Sequence, residues 1–302
     1  MTALARALTL CLATTASAQT VPAPQVPIFA AHVESVVIDA FVSGRRPNAP
    51  RLEVRDFVLK DDGVSQPFDL IPAEELPIRA VLVFDTSGSM KGAKLDRLRA
   101  AAESFVEKLG PQDEVALVSF SEEVAWLAPL SREKTSTRVS LLRLRAAGGT
   151  SAHDALFAAL LIPGSSFRTL VVLFTDGEDN SSWLDEKQLR KFVQRSNSLI
   201  HVVSARSDEA ATGFGPRYRA PGSSHVKTMR ELAEVTGGAL VEVDSPARIE
   251  AAFTGIIEAM RGRYVLRYDP ENPRPGWHRL ELQLRSGAGK VRGRTGYWME
   301  TR

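Results

Sequence analysis

Residues 80–90 have the sequence AVLVFDTSGSM, in which a short, wholly apolar run is followed at once by polar residues. An apolar run of this length is typical of a strand in a parallel sheet that helices cover on both faces. Asp85, Ser87 and Ser89 then occupy every second position of one loop, so their oxygens can converge. One carboxylate and two hydroxyls are hard oxygen donors of the kind that Mg²⁺ or Mn²⁺ prefers.

Outward from this loop, predicted strands and helices alternate as far as about residue 262. Apolar residues recur at helical spacing between Leu95 and Leu109, and residues 124–127 are expected to form an antiparallel edge strand. Four more stretches have the composition of buried strands: residues 115–120, 170–174, 199–204 and 239–243. Repeated βα units predict an α/β fold with a doubly wound, mainly parallel sheet.

Both flanks of this α/β region are rich in β-forming residues and turns. The flank before it covers residues 29–77, and the flank after it covers residues 263–302. Neither flank has enough strands to close a stable core alone. We therefore expect the two flanks to pair into one small β-sandwich, with the domain of residues 78–262 inserted between them.

The first residues have the features of a signal peptide. Arg6 precedes a short apolar run, and residues 16–18 (Ala-Ser-Ala) fit the small-x-small cleavage rule. We expect a signal peptide at residues 1–18 and a linker at residues 19–28, with a buried N-terminal helix as the alternative. A signal peptide implies export, to the periplasm or beyond. The run is too short to span a bilayer and no other stretch is apolar enough, so the mature protein is expected to have no transmembrane span.

Composition argues against two classes of chemistry. Lys and Arg total 38 against 36 Asp and Glu. The sequence has no dense basic run of the kind that would indicate a nucleic-acid groove. Cys11 is the only cysteine and would be removed with the signal peptide. The mature protein is therefore expected to lack disulfides and thiolate chemistry.

Two further loops are predicted at the same edge of the sheet. Residues 148–154 read GGTSAHD before a helix, and residues 175–179 read TDGED after a strand. D-x-S-x-S, G-G-T and T-D-G, in this order, resemble the metal-ion-dependent adhesion site of von Willebrand factor A-type domains. The resemblance spans about residues 78–262. The flanks resemble, more loosely, a family of exported proteins of Acidobacteria that contain this domain.

The resemblance implies a set of site residues and a function. Carried over position by position, it assigns the metal site to Asp85, Ser87, Ser89, Thr150 and Asp176. The two serines would be direct ligands, and the others would bind directly or through water. The resemblance further implies an Mg²⁺ or Mn²⁺ cofactor and a partner protein whose Glu or Asp carboxylate completes the coordination, without catalysis.

Several alternatives remain at the sequence level. Ser87 and Ser89, and likewise Asp85 or Thr150, could simply cap the helices that follow them. A metal-dependent hydrolase with Glu178 or His153 as base is the second functional hypothesis. In a third hypothesis, the metal has a structural role only and makes the loops more rigid.

Roles are also expected for neighbouring polar residues. Asp154 is expected to support the Asp85 loop by hydrogen bonding, and Glu178 and Asp179 to be solvated loop charges. His201 is expected in the core or at an edge, because its strand is apolar.

The long stretch of residues 207–224 is the remaining candidate for function. It has few large apolar residues but contains Arg217, Tyr218 and Arg219 among glycines and prolines. A loop of this length in a domain is usually functional or disordered. We predict that these three residues contact the partner protein; a solvated loop is the alternative.

Overall fold

The strands and helices below come from a computed structural model, which describes residues 35–46, 49–73, 76–162, 168–205, 224–271, 274–285 and 289–300. The strands in this part of the chain are β1 (Val36–Ser43), β2 (Phe57–Asp61), β3 (Val64–Ser65), β4 (Asp69–Ile71), β5 (Ile78–Asp85), β6 (Glu114–Phe120), β7 (Val124–Ser131), β8 (Arg168–Thr175), β9 (Leu199–Ala205), β10 (Ala239–Val243), β11 (Tyr264–Tyr268), β12 (Gly276–Leu284), β13 (Lys290–Arg292) and β14 (Gly296–Met299). The α-helices are α1 (Ala93–Glu107), α2 (Thr135–Arg143), α3 (Ala152–Leu160), α4 (Glu186–Arg195), α5 (Ser224–Val235) and α6 (Ile249–Arg261).

The two flanking segments form two four-stranded sheets, and each sheet takes strands from both segments. One sheet has the order β13-β1-β11-β4, and the other has the order β14-β12-β2-β3. The antiparallel pairs β1–β11 and β2–β12 join the two ends of the chain. Side chains of both sheets share one core: Val36, Ile38, Ala40, Leu59, Leu266, Tyr268, Leu280 and Tyr297. The predicted β-sandwich is confirmed.

One detail of the last segment differs from the prediction. The β-forming residues from Val291 to Trp298 predict one strand, but they contribute to β13 and β14, which lie in different sheets. Arg294 lies between the two strands, where it is 9% exposed. Its side chain donates to the nearby carbonyl of Gly296 and to Asn197, so this turn depends in part on a contact remote in sequence.

The six-stranded central sheet has the order β10-β9-β8-β5-β6-β7. All its neighbouring strands are parallel except β6 and β7, so the predicted mainly parallel sheet and its antiparallel edge are confirmed. Helices α1, α2 and α6 pack on one face, and α3, α4 and α5 pack on the other. Every residue of β8 is buried, as a strand covered on both faces requires.

Gly237 and Gly238 are required where α5 turns into β10. Gly237 has a φ of +85°, a left-handed conformation that closes the helix. A Cβ at Gly238 would lie 1.8 Å from the carbonyl oxygen of Ile200, so only glycine allows the turn to pack on β9.

The sandwich contacts the α/β domain at the amino ends of the parallel strands. Arg168, the first residue of β8, donates from Nε to Asp39 of β1 at 2.8 Å. Arg294 donates to Asn197 at 2.7 Å just before β9, and the Thr295 amide donates to the carbonyl of Val235 before β10. These contacts leave the opposite edge, at the carboxyl ends of the strands, available for the predicted site.

Buried His201 on β9 gives a test of this core. Burial, with the charges of Arg263 and Arg292, lowers the pKa of His201 from 6.5 to about 3. Between these values the unfolded chain binds a proton that the folded chain does not, so stability decreases as the pH falls below 6.5. From pH 7 to pH 5, the free energy of unfolding should fall by about 2 kcal/mol more in the wild type than in His201→Leu. Urea unfolding at both pH values measures this difference, and equal losses in the two proteins would contradict it.

Candidate metal centre at the carboxyl edge of the sheet

Asp85 is the last residue of β5, and its carboxylate is fully buried. Its Oδ1 accepts a hydrogen bond from the Ser87 amide at 2.8 Å. Its Oδ2 accepts from the Thr175 hydroxyl at 2.8 Å, at the end of the neighbouring strand β8. The Asp85 carboxylate therefore links the loops that follow β5 and β8.

Ser87, Ser89 and Asp176 form a continuous row of oxygens between these two loops. Ser87 Oγ lies 3.0 Å from Ser89 Oγ, and Ser89 Oγ donates to Asp176 Oδ1 at 2.7 Å. The other Asp176 oxygen, Oδ2, accepts from Lys94 Nζ at 2.8 Å. Four of the predicted site residues, Asp85 included, thus meet at one edge of the sheet.

Thr150 belongs to a third loop that packs between the other two. The Gly88 amide donates to the carbonyl of Gly148 at 3.0 Å, which joins this loop to the one after β5. The Thr150 amide donates to Asn180 Oδ1 at 2.9 Å, which joins it to the loop after β8. A Cβ at Gly177 would lie 3.5 Å from Thr150 Oγ1, so this buried hydroxyl lies beside the residue that follows Asp176.

The helix-capping interpretation of these hydroxyls is wrong. Helix α1 begins at Ala93, and its N-cap position is Gly92, past Asp85 and both serines. Ser87 is in the N-cap position of a short 3₁₀ helix, Gly88–Met90, but its side chain makes no capping hydrogen bond there. Helix α3 begins at Ala152 with Ser151 in the N-cap position, so Thr150 lies one residue too early. These three hydroxyls are therefore left for another role.

The electrostatics of the site are dominated by two buried carboxylates. Burial raises the pKa of Asp85 to about 6, although hydrogen bonds from Ser87 lower it. The negative charge of Asp176 raises the pKa of Asp85 further. A cation placed among these oxygens would relieve this repulsion.

Polar side chains hold the loop of residues 177–184 against Thr150. The Asp154 carboxylate accepts from the amides of Trp183 and Leu184 at 2.9 and 3.0 Å. The expectation that Asp154 supports the Asp85 loop is therefore wrong, since it supports the loop after β8. Asp179 is also more than a solvated charge, because it accepts from the His153 amide and from the Ser182 hydroxyl.

The two residues considered as a hydrolytic base have different surroundings. His153 Nδ1 lies 3.1 Å from the carbonyl oxygen of Leu184, so the ring takes part in holding the same loop. Glu178 is exposed, as the sequence suggested. Arg217, Tyr218 and Arg219 lie outside the described residues, and their predicted contact with a partner stays a prediction.

Two residues at this edge were not predicted from the sequence. Lys94 is 8% exposed. Its position in the first turn of the helix after D-x-S-x-S is the sequence feature that could have indicated it. Trp183 is 94% exposed on the loop that Asp154 holds. An aromatic residue inside a polar loop next to T-D-G was the available signal for Trp183.

A second group of potential metal ligands lies in the sandwich. Single ligand atoms of Asp61, Asp62 and His278 lie within 4.8 Å of one another. The Asp61 carboxylate already accepts from Tyr268 and Tyr297 at 3.0 and 2.8 Å, and His278 Nδ1 lies 3.0 Å from it. The Arg274 guanidinium lies 2.6 Å from Asp62 Oδ2, and the Arg279 amide donates to Asp62 Oδ1. These partners indicate a hydrogen-bonded network that stabilises the sandwich.

Comparison with known proteins agrees with the fold. A family model described as von Willebrand factor type A domain matches residues 80–178, which include all five predicted site residues. The chain contains a von Willebrand factor type A domain. Such VWA domains typically mediate protein interaction or adhesion, and they often bind a divalent metal.

Relatives of the VWA domain occur in much longer proteins. The chain is 32% identical over 144 residues to inter-alpha-trypsin inhibitor heavy chain H4 of Bos taurus, covering 41% of this chain but 16% of that protein. It is 28% identical over 190 residues to an uncharacterized protein of Synechocystis, covering 61% of this chain and 42% of that protein. The chain thus spans only part of the length of these relatives.

Solved structures show the same fold. A von Willebrand factor type A protein from Catenulispora acidiphila aligns with a TM-score of 0.53 at 15% identity, covering 84% of this chain and 76% of that chain. Proximal thread matrix protein 1 from the mussel byssus aligns with a TM-score of 0.50 at 15% identity, covering 62% and 49%. At these identities the likeness concerns the fold alone.

The hydrogen bonds of Asp154 give a direct test of how the loop after β8 is held. Asp154→Ala removes a charged acceptor of two backbone amides, each bond contributing about 1.5–3 kcal/mol. Hydrogen exchange of the Trp183 and Leu184 amides should then accelerate by at least about tenfold. Glu178→Ala, an exposed carboxylate on the same loop, is the matched control and should leave their exchange unchanged. Equal exchange in both variants would show that Asp154 does not hold the loop.

Proposed function

We propose that the chain holds a divalent cation, Mg²⁺ or Mn²⁺, at the carboxyl edge of its VWA sheet and binds another protein through it. The spacing of the oxygens supports this proposal most directly. Ser87 Oγ and Ser89 Oγ are 3.0 Å apart, and Ser89 Oγ and Asp176 Oδ1 are 2.7 Å apart. Adjacent ligands of an octahedral Mg²⁺ are about 2.9 Å apart, given metal–oxygen distances near 2.05 Å.

The chemistry of the donors also fits a hard cation. Two serine hydroxyls and a carboxylate oxygen lie in one row, and the Asp85 carboxylate and Thr150 hydroxyl are buried beside them. We assign Ser87 and Ser89 as direct ligands, with Asp85, Thr150 and Asp176 binding directly or through water. The bound ion would supply an electrophilic position for one further oxygen ligand.

A carboxylate of a partner protein is the ligand that suits this position. Two of the five proposed ligands are carboxylates, and one of them, Asp176, is already paired with Lys94, so the ion would remain only partly neutralised. A Glu or Asp side chain of the partner would add the missing negative charge. The typical role of VWA domains in protein interaction or adhesion supports this choice of partner.

The surface beside the site also favours a protein partner. Trp183 exposes 94% of its surface, yet its backbone is fixed by Asp154 and the adjoining loop is fixed by Thr150. A large aromatic side chain on a rigid support is typical of residues that dominate protein–protein affinity. The loop that holds Asp176 thus also presents an apolar contact.

Binding without catalysis is the form of the proposal that the described residues support. His153 is engaged with the loop after β8, and Glu178 has the exposure of a surface charge. We also propose that the protein is exported, from the signal-like composition of residues 1–18. Among the described residues, no helix combines the length and apolar character needed to span a bilayer.

Loss of one proposed ligand gives the first test of this function. Calorimetric titration with MgCl₂ should show one binding event in the wild type, weakened more than about 100-fold in Asp85→Ala. Asp62→Asn, which alters the other acidic group, is the control and should bind Mg²⁺ as the wild type does. Binding that Asp85→Ala retains, or that Asp62→Asn loses, would contradict the assignment.

Trp183 gives a test of the binding surface. We take as partner the protein that immobilised wild type captures in Mg²⁺ and releases in EDTA. Trp183→Ala should lower the affinity for it by at least about tenfold, while Mg²⁺ binding stays unchanged. Leu161→Ala removes another exposed apolar side chain, at the far end of α3, and should have no effect. Surface plasmon resonance compares the variants, and equal affinities would exclude the indole from the interface.

A further inference from the structure

Lys94 is a buried cation in direct contact with a proposed metal ligand. Its Nζ donates to Asp176 Oδ2 at 2.8 Å, while Asp176 Oδ1 accepts from Ser89. The side chain of Lys94 is 10% exposed and that of Asp176 is fully buried. One carboxylate group therefore lies between the row of hydroxyls and a protein ammonium group.

The position of Lys94 follows from the start of α1. Gly92 has a φ of +79°, and this left-handed residue directs the chain into the helix. Leu95 and Leu98 of the same helix lie in the core, which fixes the first turn next to the carboxyl edge. A buried ammonium is costly unless it is paired, so Lys94 is held at Asp176 instead of extending into solvent as lysines usually do.

Lys94 changes the charge balance of the site. Asp85, Asp176 and Lys94 together have a charge of 1−, from two carboxylates and one ammonium. A divalent ion would bring the total to 1+, and a partner carboxylate would then bring it to zero. Without Lys94 the corresponding totals would be 2−, zero and 1−. The metal-loaded site is thus cationic only because of Lys94.

We propose that Lys94 shifts the site from holding a divalent ion alone towards holding it together with a carboxylate. This inference rests on the proposed metal site. The ammonium weakens the binding of a divalent ion alone, because the two cations repel each other across one carboxylate. It strengthens the binding of a carboxylate to the metal-loaded site. Because coupling between two ligands is reciprocal, a carboxylate that binds the metal-loaded site better than the empty site must raise the metal affinity. At a given carboxylate concentration, this gain is larger in the protein whose loaded site binds the carboxylate more tightly. The protein would therefore hold its metal more tightly when an acidic partner is bound.

Calorimetric titration of the full chain with MgCl₂ tests this coupling. It is run without acetate and in about 0.1 M sodium acetate, with chloride adjusted to hold the ionic strength constant. Lys94→Gln keeps a hydrogen-bond donor without the charge, and Lys94→Met removes both. Lys91→Met is the matched control, because Lys91 is an exposed lysine three positions earlier. Circular dichroism checks that each variant is folded.

Without acetate, both Lys94 variants should bind Mg²⁺ at least about tenfold more tightly than the wild type and Lys91→Met. Acetate should raise the Mg²⁺ affinity of the wild type by at least about fivefold, and that of Lys94→Gln by less than about twofold. Binding of Mg²⁺ by Lys94→Gln alone, with none by the wild type, would also support the proposal.

Three results would overturn the inference. The first is an acetate-free Mg²⁺ affinity of Lys94→Gln within about twofold of the wild type. The second is the same acetate enhancement in both proteins. The third is a gain in Mg²⁺ affinity in Lys91→Met equal to that in Lys94→Gln, which would assign the effect to general surface charge. If neither the wild type nor either Lys94 variant binds Mg²⁺, the metal site itself is wrong, and the proposed function fails with it.

Discussion

The burial of two neighbouring carboxylates is the constraint around which the carboxyl edge of the sheet is built. Asp85 is fully buried at the end of β5, and Asp176, which follows β8, is 5% exposed. Two negative charges in such a place lose hydration and repel each other, which raises the pKa of Asp85 to about 6. Hydrogen bonds from Ser87, Thr175 and Ser89 offset part of this cost, and Lys94 supplies one positive charge. One negative charge remains for a cation to neutralise.

The rest of the molecule keeps this edge rigid and accessible. The loops are joined by bonds such as those from Gly88 to Gly148 and from Thr150 to Asn180, so the hydroxyls are held in place before any ion arrives. The β-sandwich contacts the sheet at the opposite edge, through Arg168 and Arg294. Chain connectivity explains this placement, since β5 starts and α6 ends on the side of the sandwich.

The central fold and the proximity of the predicted site residues could be predicted from the sequence, because both depend on local patterns. Apolar strands of fixed length identify a parallel sheet, and carboxyl ends of neighbouring strands necessarily share one edge. Contacts between side chains remote in sequence could not be predicted in this way. Asp154 pairs with Trp183 rather than with the Asp85 loop, and Lys94 reaches Asp176 across 82 positions. Likewise, the split of residues 291–298 into two strands depends on Arg294 bonding to Asn197.

The central claim is that the row of oxygens from Ser87 to Asp176 holds a divalent ion. Crystals grown with Mn²⁺ test it most directly, because anomalous scattering locates manganese independently of the surrounding protein density. The account predicts one strong anomalous peak within about 2.2 Å of both Ser87 Oγ and Ser89 Oγ, at octahedral distances. A map without a peak at these oxygens, or with its main peak at Asp61, Asp62 and His278, would contradict it.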